Sequence, residues 1–502
     1  MVSQIPALYG SGKLESRYMF KAHSIEKLLM FNGNGEWDGS FRVRELSKNE
    51  KLRKLLSSIL PPDQYSFSDE DRISYSFGKS SIEILAARLG KTTEPVEAVV
   101  SPDYGTIEKL IKELDPKKYQ LIPVGGASNV TGDLSYSKGK VKIALSTKNF
   151  KRVDFRENYV ILGSGHTGLE AENILHEYGF TIGNFPESFE YSTIGGWVAT
   201  KAIGQESNQY GGMENIIIGV KMIGSEGFFR EEYVPRNSEG MDLKALALGG
   251  EGKTGLITDV ALKLHKTPTR RFFNSYFFRN YEEGIKQISK MKFYPSVLRL
   301  SDEIETSISL DAEFNTPLKK LYEGYLKITG ARNGSMLIMI NNNLPPPEIP
   351  RKVINAGKYP AKQWIEGRYS RPALGNILWK KGMIPDTLET STTWSNLYNV
   401  HRAVRQRFTD QIEEEQAKGI IMSHISHIYS SGACIYFTFV IWREEEQMKL
   451  LESVRDAIMR EFIENGCAVS HHHGPGRYLE RYLDEKITPI RKRIYDPLFS
   501  ED

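Results

Sequence analysis

The chain has 502 residues, 40% of them hydrophobic, and its 66 basic side chains against 63 acidic ones leave a formal charge of only +3. That length supports two or three domains with a substantial core, while near-balanced, well-mixed charge offers no polybasic face and so excludes nucleic acid as a partner. The only two cysteines, Cys434 and Cys467, lack both CxxC spacing and disulfide density, no apolar run reaches the length of a membrane span, and "MVSQIPALYG" has no signal-peptide pattern; together these predict a cytoplasmic protein acting on a small molecule or a lipid.

In chain order, residues 1–85 mix aromatic and turn residues with one helical pattern, "NEKLRKLLSSIL", whose Leu52, Leu55, Leu56 and Ile59 share a face and which Pro61 and Pro62 stop. Residues 86–268 alternate strand and helix signals: "VEAVVSP", "YGTIEKLIKEL", "YQLIPVGG" and "YVILGSGHTGLEAENILHEYG" read as strand, helix, strand into a glycine turn, then strand, turn and helix. Residues 269–445 are richer in aromatics and long helices and form a second domain, in which Gly419 to Trp442 predicts a strand pair about a Ser-Ser-Gly turn. Within its first strand "SHISHIY" sets His424 and His427 three apart, a spacing that predicts opposite faces. Residues 446–502 are helices carrying "VSHHHGPGRYLERYL", in which His471 to His473 run into a Gly-Pro-Gly turn.

Glycine punctuates three further places. "PVGGASNVTGD" (123–133) has neither GxGxxG nor GxxxxGK[ST] spacing, so it is no nicotinamide or triphosphate loop; consecutive N–H groups and small hydroxyls there suit a pyrophosphate, and a plain structural turn explains it equally well. "PESFEYSTIGGWVATKA" from Pro186 and "ALGGEGKTGLITDVALKLHKTP" from Ala247 follow at domain-scale intervals. The three together resemble the flavin-binding domain of the vanillyl-alcohol oxidase superfamily. The resemblance implies an α+β protein with a two-subdomain FAD-binding fold and a separate α+β cap domain for substrate. It implies that Gly125, Gly126, Ser128, Asn129 and Thr131 meet the FAD pyrophosphate, with Pro123, Val124 and Ala127 on the same loop. Pro186, Ser192, Thr193, Gly195, Gly196, Ala199 and Thr200 then lie along the flavin, and Glu251, Gly252, Gly255 and Ile257 complete the pocket. Covalent members carry a histidine in the first loop; this loop has none, so FAD is expected to be non-covalent.

Within the superfamily, "PSVLRLSDEIET" (295–306), "DTLETSTTWSNL" (386–397), "SSGACIYFTF" (430–439) and "SHHHGPGRYL" (470–479) resemble the alkyldihydroxyacetonephosphate synthases of ether-lipid synthesis, with "FNGNGEW" matching loosely near the start. A base that removes a proton beside a carbonyl needs a pKa near neutrality, which histidine has with little tuning. Three adjacent histidines seldom converge on one ion, so no metal is expected. By the resemblance His472 and His473, in one run with His471, shape and deprotonate the substrate, Tyr436 passes a proton, and Arg299 holds an anionic group. Each residue also has a plain reading: Tyr436 as a core tyrosine, Arg299 paired with Asp302 or Glu303, Cys434 as a small buried hydrophobe. One departure matters. By the resemblance Gly375 stands where many relatives carry an arginine, with Arg368, Arg371 and Lys380 as nearby cations. The resemblance implies replacement of the acyl group of acyl-dihydroxyacetone phosphate by a fatty alcohol through a flavin N5 adduct; the alternative is an FAD-dependent D-2-hydroxy acid dehydrogenase of lactate or glycolate type. A homodimer that meets membranes only peripherally is implied as well.

Overall fold

The computed structural model describes residues 49–500, apart from 93, 135–138, 231–232, 235–237, 239–241, 243, 314–323, 326, 330–332, 348, 350–352 and 370–371, together with 2–4, 16–29, 37, 40–42 and 46. Arg371 and most of "FNGNGEW" lie outside the described residues.

Three sheets carry the architecture. In the first, strands Ala98–Val100, Val141–Ser146 and Tyr119–Val124 run parallel and Tyr65–Ser66 pairs antiparallel at the edge. Parallel strands are covered on both faces and so read as nearly continuous apolar runs; Val100, Leu121, Ile143 and Leu145 are buried in one core with the helices Glu50–Ile59 and Ile107–Glu113. The second sheet is antiparallel, in the order Gly227–Arg230, Ile217–Gly224, Leu256–Lys263, Tyr159–Gly163, Val153–Phe155. The third is a seven-stranded antiparallel sheet ordered Ile354–Asn355, Arg271–Phe278, Ser335–Asn342, Val297–Ser301, Lys418–Ile428, Gly432–Trp442, Ile384–Thr393. Its two longest strands are the pair expected around Ser430–Gly432.

One face of this third sheet is closed. Ile425, Ile435, Phe437, Phe439 and Leu388 form a core with the helices Leu397–Glu414 and Gln447–Glu464. The other face looks toward the first two sheets, and the candidate site lies between.

The described segments at both ends of the chain pack on more than one sheet. The helix Glu50–Ile59, capped by the Asn49 side chain at 3.0 Å from the Leu52 amide, buries Leu52, Leu56 and Ile59 on the parallel sheet, whereas the helix Ser81–Arg88 buries Ile84 and Leu85 in the core of the seven-stranded sheet. An amphipathic helix must cover some apolar face, and these two cover different ones. The C-terminal segment divides likewise: its long helix lies on the seven-stranded sheet, while the Leu498 carbonyl accepts a hydrogen bond from the Leu121 amide at 2.8 Å. No helix among the described residues is long and apolar enough to cross a membrane.

Candidate active site

A cavity of about 580 Å³ separates the glycine segments from the open face of the seven-stranded sheet. The first segment leaves the end of the parallel strand Tyr119–Val124 and turns through Ala127, whose φ of +49° is left-handed. Consecutive amides in such a turn point one way and make an anion-binding concavity. None of the backbone N–H groups of residues 125–130 donates a hydrogen bond to a described residue, so they are left to a ligand. Gly126 packs so closely on the Tyr191 carbonyl that no side chain fits there. The second segment is set by Thr193, which caps the helix Ile194–Ala199 by accepting from the Gly196 amide at 3.3 Å. These features fit the pyrophosphate and ring of FAD.

All the predicted cofactor residues except Thr131 line this cavity. Thr131 faces away: its carbonyl accepts from the Tyr478 amide at 3.1 Å and its hydroxyl donates to the His473 carbonyl at 3.4 Å, so it props the histidine loop instead. Glu251 lines the cavity, yet its carboxylate accepts from the Gly476 amide at 2.7 Å and pairs with Lys253 at 3.1 Å, clipping the same loop from the cofactor side.

Strand register builds the rest. Residues directly opposite on antiparallel strands share a face, and the register pairs Glu389 with Tyr436, Tyr436 with His424, and His424 with Ser301 across four strands. Arg299, two residues before Ser301, joins that face. By simple alternation His427 would lie opposite, as the spacing of "SHISHIY" predicts; instead a β-bulge between Ser426 and Ile428, with His427 at φ +50°, turns its ring back to the cavity. His427 Nε2 then lies 2.9 Å from the Tyr436 hydroxyl, and His472 Nε2 lies 3.2 Å from the same oxygen. Tyr436 thus bridges two imidazoles. Tyr436, Arg299, His472 and His473 line the cavity, while His471 stands behind it, bonded to Tyr429.

The histidine loop is held by Glu389, fully buried, whose carboxylate accepts the amides of His471 at 2.6 Å, His472 at 3.2 Å and His473 at 3.3 Å and the Ser470 hydroxyl at 2.9 Å. Burial pushes its carboxyl up, but the His473 ring, the His471 charge and the His471 amide outweigh that and hold it at about 2. Burial, with neighbouring His473 and His471, keeps the His472 ring well below the usual imidazole value, hence neutral. Burial likewise raises the Tyr436 phenol well above its ordinary value, hence protonated. The two groups are in direct contact, the imidazole able to accept a hydrogen bond and the phenol able to donate one.

Arg299 is already engaged. Its guanidinium pairs with Glu305, not with Asp302 or Glu303, and contacts His424 Nδ1 at 3.1 Å. Against the upward push of burial, Arg299 and His424 hold the Glu305 carboxyl well below the usual range. Glu389, Cys434, His471 and His472 bring one donor atom each within 4.8 Å of the others; the carboxylate is occupied by its four hydrogen bonds, and burial beside it raises the Cys434 thiol, which opposes a thiolate–metal bond. Near Gly375, whose missing side chain faces open space, Arg368 is paired with Glu206 at 3.0 Å and Lys380 is exposed. Lys79 is the cation that sequence reasoning missed. It lines the cavity beside the first glycine loop, its amide donating to the Asn129 carbonyl at 2.7 Å, and no described carboxylate lies within 4.0 Å of its ammonium.

The family models for FAD binding domain and for FAD linked oxidases, C-terminal domain, match residues 96–231 and 355–494. The chain is 28% identical over 491 residues to alkyldihydroxyacetonephosphate synthase of Dictyostelium discoideum, covering 90% of this chain and 79% of that one. The chain is an FAD-dependent enzyme similar to the alkyldihydroxyacetonephosphate synthases. A solved structure of such a synthase superposes with a TM-score of 0.78 at 24% identity, over 96% of this chain and 91% of the other, which places the fold. A D-lactate dehydrogenase of Anaerostipes hadrus is more distant, 22% identical over 431 residues, 84% of this chain and 87% of that one.

Proposed function

We propose that the enzyme replaces the acyl group of an acyl-dihydroxyacetone phosphate by a fatty alcohol, with FAD held non-covalently. The observation that carries this reading is the apolar stretch of the cavity wall. Ile25, Ile308, Leu374, Leu378, Met422 and Val440 line it as one hydrophobic cluster, drawn from the helices Ser16–Leu29, Glu303–Glu313 and Pro372–Lys380 and from the open sheet face. Each methylene buried there contributes about 0.8 kcal/mol, a use for a fatty chain and none for a three-carbon hydroxy acid.

Bound FAD supplies an electron sink and an electrophilic ring. The protein's own residues do the rest. His472, neutral, accepts the proton from the carbon beside the carbonyl; Tyr436 donates to the departing oxygen; His473 closes the cavity beside them. Lys79, a cavity cation with no described carboxylate within 4.0 Å, is available to a phosphate group. A D-2-hydroxy acid dehydrogenase would need an arginine free for a carboxylate; among the described residues Arg299 and Arg368 are both paired with glutamates.

Anaerobic titration of the purified protein separates the two readings. Bleaching of the flavin band by palmitoyl-dihydroxyacetone phosphate, with fatty acid released and no electron acceptor required, is expected; bleaching only by D-2-hydroxy acids would overturn the proposal. Lys79→Met is expected to raise KM for the acyl phosphate about 10- to 100-fold, the range of a hydrogen bond to a charged group, measured by initial rates with FAD in excess; loss of FAD with KM unchanged would assign the lysine to the cofactor's pyrophosphate instead. A fatty substrate also supports peripheral membrane contact by an otherwise cytoplasmic enzyme. Light scattering checks the homodimer implied by the resemblance.

A further inference from the structure

The Tyr436 hydroxyl is one link in a longer chain of hydrogen bonds. Behind the cavity wall, His472 Nδ1 lies 2.9 Å from His471 Nδ1, and His471 Nε2 lies 2.7 Å from the hydroxyl of Tyr429, a side chain 40% exposed. On the other side His427 continues from Tyr436 to the Ser207 hydroxyl at 2.7 Å. Neither His471 nor Tyr429 lines the cavity. The chain therefore joins the buried acid–base pair to solvent by a route separate from the substrate's.

Such a route answers a physical need. With FAD and a fatty substrate bound in the cavity, water would be excluded, and a proton taken by His472 would have no solvent to reach on that side. We propose that His471 and Tyr429 are the exit of a proton relay that connects the buried base with bulk water. The transfers balance: one proton arrives at His472 Nε2, one passes from His472 Nδ1 to His471 Nδ1, and one leaves His471 Nε2 through Tyr429 to water. Each imidazole takes a proton on one nitrogen and releases one from the other, and the reverse passage resets both. His471 and Tyr429 lie outside the cavity lining, so they act through His472. The use of this relay in turnover rests on the proposed function; its existence does not.

The test reads the relay without substrate. In FAD-loaded protein carrying ¹⁵N-histidine, exchange of the His472 ring proton with water is measured by saturation transfer. His471→Asn keeps a side-chain amide near the position of Nδ1 but cannot take up and pass on a proton, and His471→Gln serves if the first variant folds poorly. Exchange about tenfold or more slower than wild type, with FAD content and melting temperature unchanged, is the expected result. Equal exchange in wild type and variant would overturn the relay, whatever the enzyme's substrate. Washout of deuterium from carbon 1 of the acyl phosphate, slowed in the same variant, is expected to follow; its absence in the wild type with no fatty acid released would count against the proposed function instead.

Discussion

His472→Ala is expected to leave the protein folded and FAD-loaded while lowering turnover by about 10²- to 10⁴-fold, the usual contribution of a positioned acid–base group. Cofactor content from the visible spectrum and single-turnover release of fatty acid check both halves. The reason lies in how the loop is held. Its backbone amides are gathered by Glu389 and the Gly476 amide by Glu251, so the anchors hold the loop by its backbone, and the His472 ring comes no nearer Glu389 than 3.8 Å. What the substitution removes is the neutral Nε2 facing the Tyr436 hydroxyl. A variant that comes out colourless or aggregated would mean that the ring is a structural prop and that proton transfer belongs elsewhere.

Glu389→Gln should act by the opposite route, through the fold. Four donors converge on the carboxylate, and an amide offers them one oxygen and turns an NH₂ toward the remainder. Leaving buried donors without partners costs about 1–3 kcal/mol each. The charge adds a pH signature. Glu389 stays ionised in the fold down to about 2, against an ordinary 4.5 in the unfolded chain. Its contribution, roughly 3 kcal/mol for such a difference, is therefore complete above the unfolded value and is lost as pH falls from about 4.5 toward 2. Urea midpoints measured at pH 7 and pH 3 should differ more for wild type than for the glutamine variant. Turnover should fall with the loss of loop order; a variant with wild-type midpoints at both pH values would sink this account of Glu389.

The sequence made the cofactor half of the molecule legible because its information is local. Glycines, a capping threonine and small hydroxyls sit where the backbone must turn, and every expected residue but Thr131 reached the cavity. The histidine run was legible for its residue type. The partners that give it chemistry were not, since they arrive by strand register. Glu389 meets the loop only because Ile384–Thr393 pairs with Gly432–Trp442, and Glu305 reaches Arg299 from the first turn of the helix Glu303–Glu313. Period-two alternation in "DTLET" could have put Glu389 on one face with Thr387, but nothing local named that face. His427 was misplaced for a sharper reason: a bulge inserts one residue into the count and reverses the side to which everything beyond it points.

That bulge also sets evolution a choice. A left-handed φ costs a histidine on the order of 1 kcal/mol or more and a glycine almost nothing, so the backbone at this position, taken without its side chain, favours glycine. Engineering this enzyme for heat resistance by relaxing that strained position would remove the ring that joins Tyr436 to Ser207.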